Sequence, residues 1–317
     1  MLYNWITFCG LILLSNFNHN QKAAPHHAPA PKISFTFDDG ITNDILSFPF
    51  ETWNQKILDA LQQEHIRAVF FVTGSNKMDK KGRFLLQSWA NDGHRIANHS
   101  FTHPNFSKDE YPLADFESEL LRTDSIISAY PTYLKLFRFP YLKEGKTREK
   151  IDGIRQILAR HGYRNGHVTI DASDWFVNSE LIKCIQKHGK DAPQVEQFKQ
   201  FYIQHLFERA QYYESLSYEL NQRHISHTLL LHHNLAAALF LGDLIQKFKA
   251  EAWEVTDADK AFEDEIFQHT PATVPAGESL IWSMAKAAGK YDDQLRYPAE
   301  DSRYELPKML ELGLIVK

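Results

Sequence analysis

The chain has 317 residues, of which 43% are hydrophobic, 24% are charged and 13% are aromatic. A chain of this length can bury a substantial core, and its aromatic content excludes an acidic disordered protein. The formal net charge of −5 provides no basic surface for nucleic acid or for an anionic membrane, so we expect neither as a partner.

The first element is an apolar run from Trp5 to Leu14, which is too short to span a bilayer as a helix. The run has the length of a signal-peptide core, and an Ala/Pro-rich stretch from Ala23 to Pro31 follows it. No Lys or Arg precedes the run, whereas signal peptides usually begin with positive charge. We expect residues 1–31 to be a signal peptide and linker, which predicts a periplasmic or secreted protein without a membrane span. An uncleaved cytoplasmic start is the alternative.

From Lys32 onward, β-rich runs alternate with amphipathic helical patterns. The predicted strands are Ile33–Phe37, Ala68–Thr73, His94–Asn98, Leu134–Phe139, His167–Ile170, Thr228–His232 and Trp253–Thr256. The predicted helices are Asn54–Glu64, Gly82–Asn91, Leu113–Ala129, Thr147–His161 and Leu241–Ala250. The alternation predicts an α/β fold of parallel strands joined by right-handed crossovers. About seven such units favour a distorted (β/α) barrel with surrounding helices over an open sheet, although the pattern alone leaves both open.

We place the domain that shows this alternation at residues 32–260. One segment interrupts the alternation within the domain, and a second segment follows the domain. A long helical insertion is predicted from Ser179 to Arg223. After Asp259 the pattern becomes irregular and rich in proline, which indicates a C-terminal extension over residues 261–317, packed on the barrel. Loops at the functional face of such a fold set specificity, so we expect the long loop from Ile41 to Gln55 and the insertion from Ser179 to Arg223 to bear on the substrate.

In a parallel α/β barrel, chemistry is expected where strands end and loops begin. The first strand ends in Asp38-Asp39-Gly40. Two adjacent carboxylates repel each other, and the pair is costly unless a cation or a proton separates their roles. An Asp-Gly turn is the ordinary structural explanation of the same residues.

The third strand ends in His99-Ser100-Phe101-Thr102-His103. Two histidines at this spacing can face one way on a helical turn or converge across a tight loop. With Asp39 they make an Asp/His/His set that would leave coordination positions open for water and substrate. This set predicts a catalytic metal site rather than a closed structural one.

Ionisable residues also follow three later strands, in Arg138-Phe139-Pro140-Tyr141, Asp171-Ala172-Ser173-Asp174-Trp175 and Leu231-His232-His233. Taken singly, an Arg at a strand end usually makes a surface ion pair, and a His on an apolar strand is usually a core residue. Ionisable groups at five strand ends are poorly explained by coincidence. Together they predict a hydrolytic site.

The same segments match, in chain order, the motifs of a known family. They are Thr-Phe-Asp-Asp-Gly at 36–40, His-Ser-x-x-His at 99–103, Arg-x-Pro-Tyr at 138–141, Asp-x-x-Asp-Trp at 171–175 and Leu-x-His at 231–233. On these motifs the chain resembles the polysaccharide deacetylases, the NodB-homology domain of carbohydrate esterase family four. The first two motifs are specific, whereas the last carries little weight alone.

The resemblance implies a role for each matched residue. Asp38 would be the general base and His233 the general acid. Arg138 would orient Asp38, and Asp174 would orient His233. The doublet His232-His233 allows a second register for the last motif, although the Leu-x-His spacing favours His233.

The resemblance also implies one divalent cation, usually zinc, with cobalt, nickel or manganese as alternatives. Its ligands would be Asp39, His99 and His103. The acyl pocket would be lined by Tyr141, Trp175 and Leu231.

The implied function is hydrolysis of N-acetyl groups on an amino-sugar-containing glycan. A metal-dependent amidase or esterase acting on a small non-polymeric substrate is the alternative, and a narrow groove would favour it. A catalytically silent carbohydrate-binding module belongs to another class. It predicts loss of Asp38 or of a metal ligand, and all of these residues are present.

Overall fold

The computed structural model describes Met1 and residues 30–315, so the predicted signal peptide and most of the linker lie outside the described residues. The strands in this part of the chain are β1 Lys32–Asp39, β2 Val69–Val72, β3 Arg95–Asn98, β4 Tyr133–Phe137, β5 Lys143–Gly145, β6 Arg164–Asn165, β7 Ser226–His232, β8 Glu254–Val255 and β9 Ala276–Gly277. The α-helices are α1 Phe50–Gln63, α2 Lys80–Asn91, α3 Leu113–Ile127, α4 Arg148–Arg160, α5 Asp174–His188, α6 Pro193–Asn221, α7 Leu235–Ala250, α8 Ala258–Ala261, α9 Leu280–Ala288 and α10 Ser302–Glu311. Among the described residues, no helix combines the length and apolarity that a membrane crossing requires.

A parallel sheet forms the centre of the molecule, in the strand order β6-β4-β3-β2-β1-β7, with β8 paired to the start of β1. Strands β1 and β2 are almost continuously buried, as expected when helices cover both faces of a parallel sheet. Beyond β6 the chain reaches the opposite edge, where Ile170 bridges Leu229 of β7. The sheet therefore curls on itself, and the predicted distorted (β/α) barrel is confirmed.

Six of the seven predicted strands overlap strands of this sheet. The exception is His167–Ile170, where only Ile170 forms a bridge. The reason lies in two threonine hydroxyls that take the place of ladder hydrogen bonds. The Thr228 N–H donates to Thr169 Oγ1 at 2.7 Å, and Thr228 Oγ1 donates to the His167 carbonyl at 3.0 Å.

The helix α7 begins six residues before its predicted start at Leu241. Its first turns, from Leu235 to Phe240, are buried on nearly every side, so they carry no 3.6-residue alternation of apolar and polar positions. The Asn234 side chain fixes the start of the helix by accepting a hydrogen bond from the Ala237 N–H at 2.9 Å.

The predicted helical insertion consists of two helices, α5 and α6, and it begins earlier than predicted, at Asp174. Residues 259–315, called the C-terminal segment below, contain α9 and α10, which the irregular pattern did not predict. One helix is short and the other contains Pro307, so neither gives a long periodic signal. The segment returns to the barrel through β9, which pairs with β5, and through the Leu280 N–H, which donates to the Val168 carbonyl at 2.7 Å.

A substitution at Gly242 of α7 tests how closely this helix packs against α1. A Cβ on Gly242 would meet its nearest neighbour, Ala60 Cβ, at 4.0 Å. G242A should therefore raise the free energy of unfolding by roughly 0.5–1 kcal/mol, because the unfolded chain loses entropy while the helix loses nothing. The matched control is Gly166, where a Cβ would lie 2.4 Å from Phe71 Cε1, so G166A should destabilise the protein. Urea unfolding measures both changes, and a G242A variant no more stable than the parent would contradict the packing.

Candidate active site

The strands β1, β3, β4 and β7 lead at their carboxyl ends into one cleft with a volume of about 500 Å³. Six of the side chains predicted for the site line this cleft, namely Asp38, Asp39, His99, His103, Tyr141 and Trp175. They come together because the carboxyl ends of parallel strands lie on the same rim of the barrel.

Three of these residues converge on one point of the cleft. His99 Nε2 lies 3.7 Å and His103 Nε2 lies 3.5 Å from Asp39 Oδ1. One donor atom from each of the three lies within 4.8 Å of the others. Two imidazole nitrogens and a carboxylate oxygen are donors that zinc and similar first-row divalent cations accept. The donor set therefore fits the predicted divalent cation.

The histidines have the protonation state that a metal ligand needs. His99 Nδ1 donates to the Arg138 carbonyl at 2.8 Å, which leaves the Nε2 lone pair directed at Asp39. Burial lowers the pKa of His99 and of His103 to about 4, so both imidazoles are neutral at pH 7. Burial alone would raise the pKa of Asp39, but the surrounding histidines and Lys77 hold it below its ordinary value.

The two histidines meet across a tight loop and not on a helical turn. Ser100 and His103 have φ values of 66° and 61°, and Asp39 has a φ of 78°. Residues other than glycine pay roughly 1–2 kcal/mol for this left-handed conformation, so the surrounding structure must hold it in place.

The helix α3 supplies that support through Glu119 and Thr123, which are both buried. The Glu119 carboxylate accepts hydrogen bonds from the N–H groups of Phe101 and Thr102 at 2.8 and 2.6 Å. Thr123 Oγ1 donates to the Ser100 carbonyl at 2.8 Å. These positioning residues were missed in the sequence. Their available signal is the presence of polar side chains at positions that the helical period assigns to the core.

Asp38 presents one oxygen to an arginine and the other to the triad. Arg138 Nη1 donates to Asp38 Oδ1 at 2.7 Å and to Thr36 Oγ1 at 2.8 Å, while Asp38 Oδ2 lies 3.6 Å from His99 Nε2. Burial raises the pKa of Asp38 to about 6, against the lowering influence of Arg138. The predicted contact of Arg138 with Asp38 is present.

The two histidines at the end of β7 face different surroundings. His232 lines the cleft, and its Nδ1 lies 2.6 Å from Asp174 Oδ1. His233 is fully buried, with its ring centroid 4.4 Å from that of Trp53 and its Nε2 bonded to Asn54 Oδ1 at 3.0 Å. The prediction that His233 lies in the site, oriented by Asp174, is therefore wrong. His232 occupies that position.

The alternation of side chains along a strand explains the error. The sequence contains two overlapping Leu-x-His triplets, and residue types alone do not distinguish them. Leu230 and His232 lie on the cleft side of β7, whereas Leu231 is fully buried in the core. The predicted pocket residue Leu231 is therefore also wrong, and Leu230 takes its place.

Asp174 sets the charge of the histidine in the cleft. This carboxylate is fully buried, and it accepts hydrogen bonds from the His232 N–H at 2.9 Å and from Asn234 Nδ2 at 3.1 Å. Burial alone would lower the pKa of His232, but Asp174 raises it to about 10. At pH 7 the cleft therefore combines a largely ionised Asp38 with a protonated His232.

The C-terminal segment also borders the cleft, through Glu278, Pro298 and Glu300. No motif pointed to these residues, because their approach depends on how the segment folds back on the barrel. At the rim, Tyr141 and Trp175 are 59% and 42% exposed, so aromatic surface is available to a ligand.

Comparisons with known proteins agree with the family resemblance. Residues 26–166 match the family model for polysaccharide deacetylase. The chain is 34% identical to a peptidoglycan-N-acetylglucosamine deacetylase of Bacillus cereus over 114 aligned residues. The alignment covers 35% of this chain and 36% of that protein. It is 29% identical to a chitooligosaccharide deacetylase of Sinorhizobium fredii over 148 aligned residues. This alignment covers 46% of this chain and 60% of that protein.

A similar fold occurs in a CE4 family pseudoenzyme from Bacillus anthracis, with a TM-score of 0.50 and 18% identity over 74% of this chain and 66% of that one. A likeness at this identity concerns the fold alone. The family match includes Asp38, Asp39, His99, His103 and Arg138, and it ends before Asp174 and His232. On that match, together with the fold and the motifs, residues 26–166 of the chain belong to the polysaccharide deacetylase family.

Proposed function

We propose that this chain is a metal-dependent deacetylase that hydrolyses an N-acetyl group on an amino-sugar-containing glycan. The observation that carries the proposal is that Asp38, His232 and the Asp39/His99/His103 donor set lie in one cleft. A base, an acid and a cation site are the three components that hydrolysis of an unreactive amide needs.

The protein groups divide the reaction between them. When bound, a divalent cation would polarise the acyl carbonyl and lower the pKa of a water molecule, and we propose zinc for that role. Asp38, held through Oδ1 by Arg138, would take the water's proton on Oδ2 as the oxygen bonds to the carbonyl carbon. His232 would then donate its proton to the amine nitrogen as the C–N bond breaks. Products are acetate and a free amine.

The glycan part of the proposal is supported by the relatives and by the cleft rim. The two relatives named above act, by their names, on peptidoglycan N-acetylglucosamine and on chitooligosaccharide. A ligand that covers exposed aromatic rings such as Tyr141 and Trp175 removes their apolar surface from water, which favours binding. Export would bring the protein to cell-surface glycan, and we propose it on the apolar run from Trp5 to Leu14.

A small acylated substrate is the second candidate. The C-terminal segment borders the cleft with Glu278, Pro298 and Glu300, and this part of the chain lies beyond the family match. A wall at this place would limit the length of a glycan that can bind, which favours short oligosaccharides or a small amide or ester.

Acetate release tests the function directly. Metal-loaded protein should release acetate from N-acetylglucosamine oligomers or peptidoglycan, with small acetamides as the comparison that identifies the second candidate. D38N should lower kcat by about 10²–10⁴-fold, because the water loses its base, while metal binding persists because Asp38 is not a ligand. If metal-loaded protein releases no acetate from any of the three substrate classes, the hydrolase proposal is wrong. Loss of metal in D38N would overturn the division between base and ligands.

Substitutions at two neighbouring positions test which histidine is the general acid. H232N should reduce kcat by about 10²–10⁴-fold, because the leaving amine loses its proton donor. H233N should keep kcat within about tenfold but lower the free energy of unfolding by about 1–3 kcal/mol, since its ring packs in the core. Turnover is measured below the unfolding temperature of each variant. The reverse pattern would restore His233 as the acid.

The pH profile tests the pairing of Asp174 with His232. Activity should rise as Asp38, with a pKa of about 6, loses its proton, and fall as His232, with a pKa of about 10, loses its own. A bound cation moves both limbs to lower pH, so the informative quantity is the difference between variants. D174N removes the carboxylate that raises the pKa of His232, and the alkaline limb of kcat/KM should move to lower pH while the acidic limb stays. An unmoved alkaline limb would contradict the pairing.

A further inference from the structure

We propose a second divalent-cation site, formed by His205 of α6 together with Glu300 and Glu305 of the C-terminal segment. One donor atom from each residue lies within 4.8 Å of the others. His205 is 7% exposed, Glu305 is 4% exposed, and the side chain of Glu300 is 2% exposed. None of the three belongs to the Asp39/His99/His103 set, and the proposal does not depend on the proposed deacetylase activity.

Three of the four carboxylate oxygens in this cluster accept no hydrogen bond from the described residues. Within residues 30–315, neither oxygen of Glu300 nor Oε2 of Glu305 has a hydrogen-bond partner, and all three atoms are buried. Buried carboxylate oxygens without a donor are strongly unfavourable, so such groups hold a proton, an ion-pair partner or a metal. One oxygen from each glutamate lies within 4.8 Å of the other and of a His205 ring nitrogen, which leaves room for a shared ligand among them.

Two arginines lie nearby but do not satisfy these atoms. Arg209 Nη1 is 3.9 Å from Glu300 Oε1, and Arg296 Nη1 is 3.7 Å from Glu300 Oε2, both beyond hydrogen-bond reach. Arg296 Nη1 does donate to Glu305 Oε1 at 3.2 Å, which leaves Oε2 for a ligand bond. Hydrogen bonds from outer groups to the second oxygen of a ligating carboxylate are common at metal sites. An ion-pair network without a metal is the competing account.

The donor types narrow the ion. One imidazole nitrogen and two carboxylate oxygens suit Mn²⁺ or Zn²⁺ better than Ca²⁺ or Mg²⁺, which prefer oxygen alone. The only hydrogen-bond contact of His205 Nε2 among the described residues is with Ser173 Oγ at 3.5 Å, which is long enough to give way to a metal.

The position of the cluster indicates what the ion would do. It would join α6 to α10 through Glu305 and to the loop before α10 through Glu300, and so fasten the C-terminal segment to the barrel. Glu300 also lines the candidate active-site cleft, and Ser173 directly precedes Asp174. A cation there would fix one wall of the cleft without touching the reacting groups.

The test uses the full chain with the triad disabled. H99A/H103A removes two of the three triad ligands, and the variant should still bind one equivalent of Mn²⁺ by electron paramagnetic resonance and one of Zn²⁺ by calorimetry. Its unfolding temperature should rise when either ion is added. The unaltered protein should bind two equivalents. Because stoichiometry is measured without substrate, a failed deacetylase assay does not affect this result.

Further variants assign the ion to its ligands. E300Q/E305Q in the H99A/H103A background should bind no metal, and H205N in that background is the second variant if E300Q/E305Q does not fold. E208Q alters an exposed carboxylate of α6 outside the cluster, so it is the matched control and should leave binding unchanged. No bound metal in folded H99A/H103A would overturn the site in favour of the ion-pair network. Binding that survives both E300Q/E305Q and H205N would place the ion elsewhere and also overturn it.

Discussion

The arrangement of the active-site cleft depends on the buried arginine Arg138. Its guanidinium group binds Asp38 and the Gly166 carbonyl and lies 3.8 Å above the ring of Phe71, while its own carbonyl accepts the Nδ1 proton of His99. A buried charge is tolerated when it is paired and hydrogen-bonded, and here Nε and Nη1 have acceptors, whereas Nη2 has none among the described residues. One residue therefore orients the candidate base through its side chain and a candidate metal ligand through its backbone.

The second organising contact is between Asp174 and His232. Both carboxylates, Asp38 and Asp174, are buried, yet their partners differ in kind. Asp38 pairs with a permanent cation and keeps one oxygen free, whereas Asp174 uses both oxygens on His232 and Asn234. The result is a candidate base and a candidate acid in opposite protonation states at neutral pH, which is what two-step proton transfer requires.

Much of the site could be predicted from the sequence because chemistry in this fold lies at strand ends. Six of the seven predicted strands are present, and the Asp39, His99 and His103 side chains come together at the rim. Residue order determines which loops meet, so motifs in the right order were sufficient for this part. The pairing of Arg138 with Asp38 was implied by the family resemblance, and the contact is present.

The errors share a physical cause, which is that they depend on three-dimensional packing. The choice between His232 and His233 depends on which face of β7 borders the cleft, and two overlapping triplets leave that undecided. Glu119 supports the His99 loop from α3, the next helix along the chain, and its inward orientation depends on how that helix packs. The walls formed by Glu278 and Glu300 depend on the pairing of β9 with β5. None of these contacts has a local signature.

A crystal structure of the protein soaked with zinc and acetate, with anomalous data at the zinc edge, tests the central claim most directly. The account predicts an anomalous peak at about 2.0–2.2 Å from Asp39 Oδ1, His99 Nε2 and His103 Nε2. It also predicts acetate in the cleft within hydrogen-bond reach of His232, with His233 still packed against Trp53. Zinc bound away from these three atoms, or His233 turned into the cleft in place of His232, would contradict it.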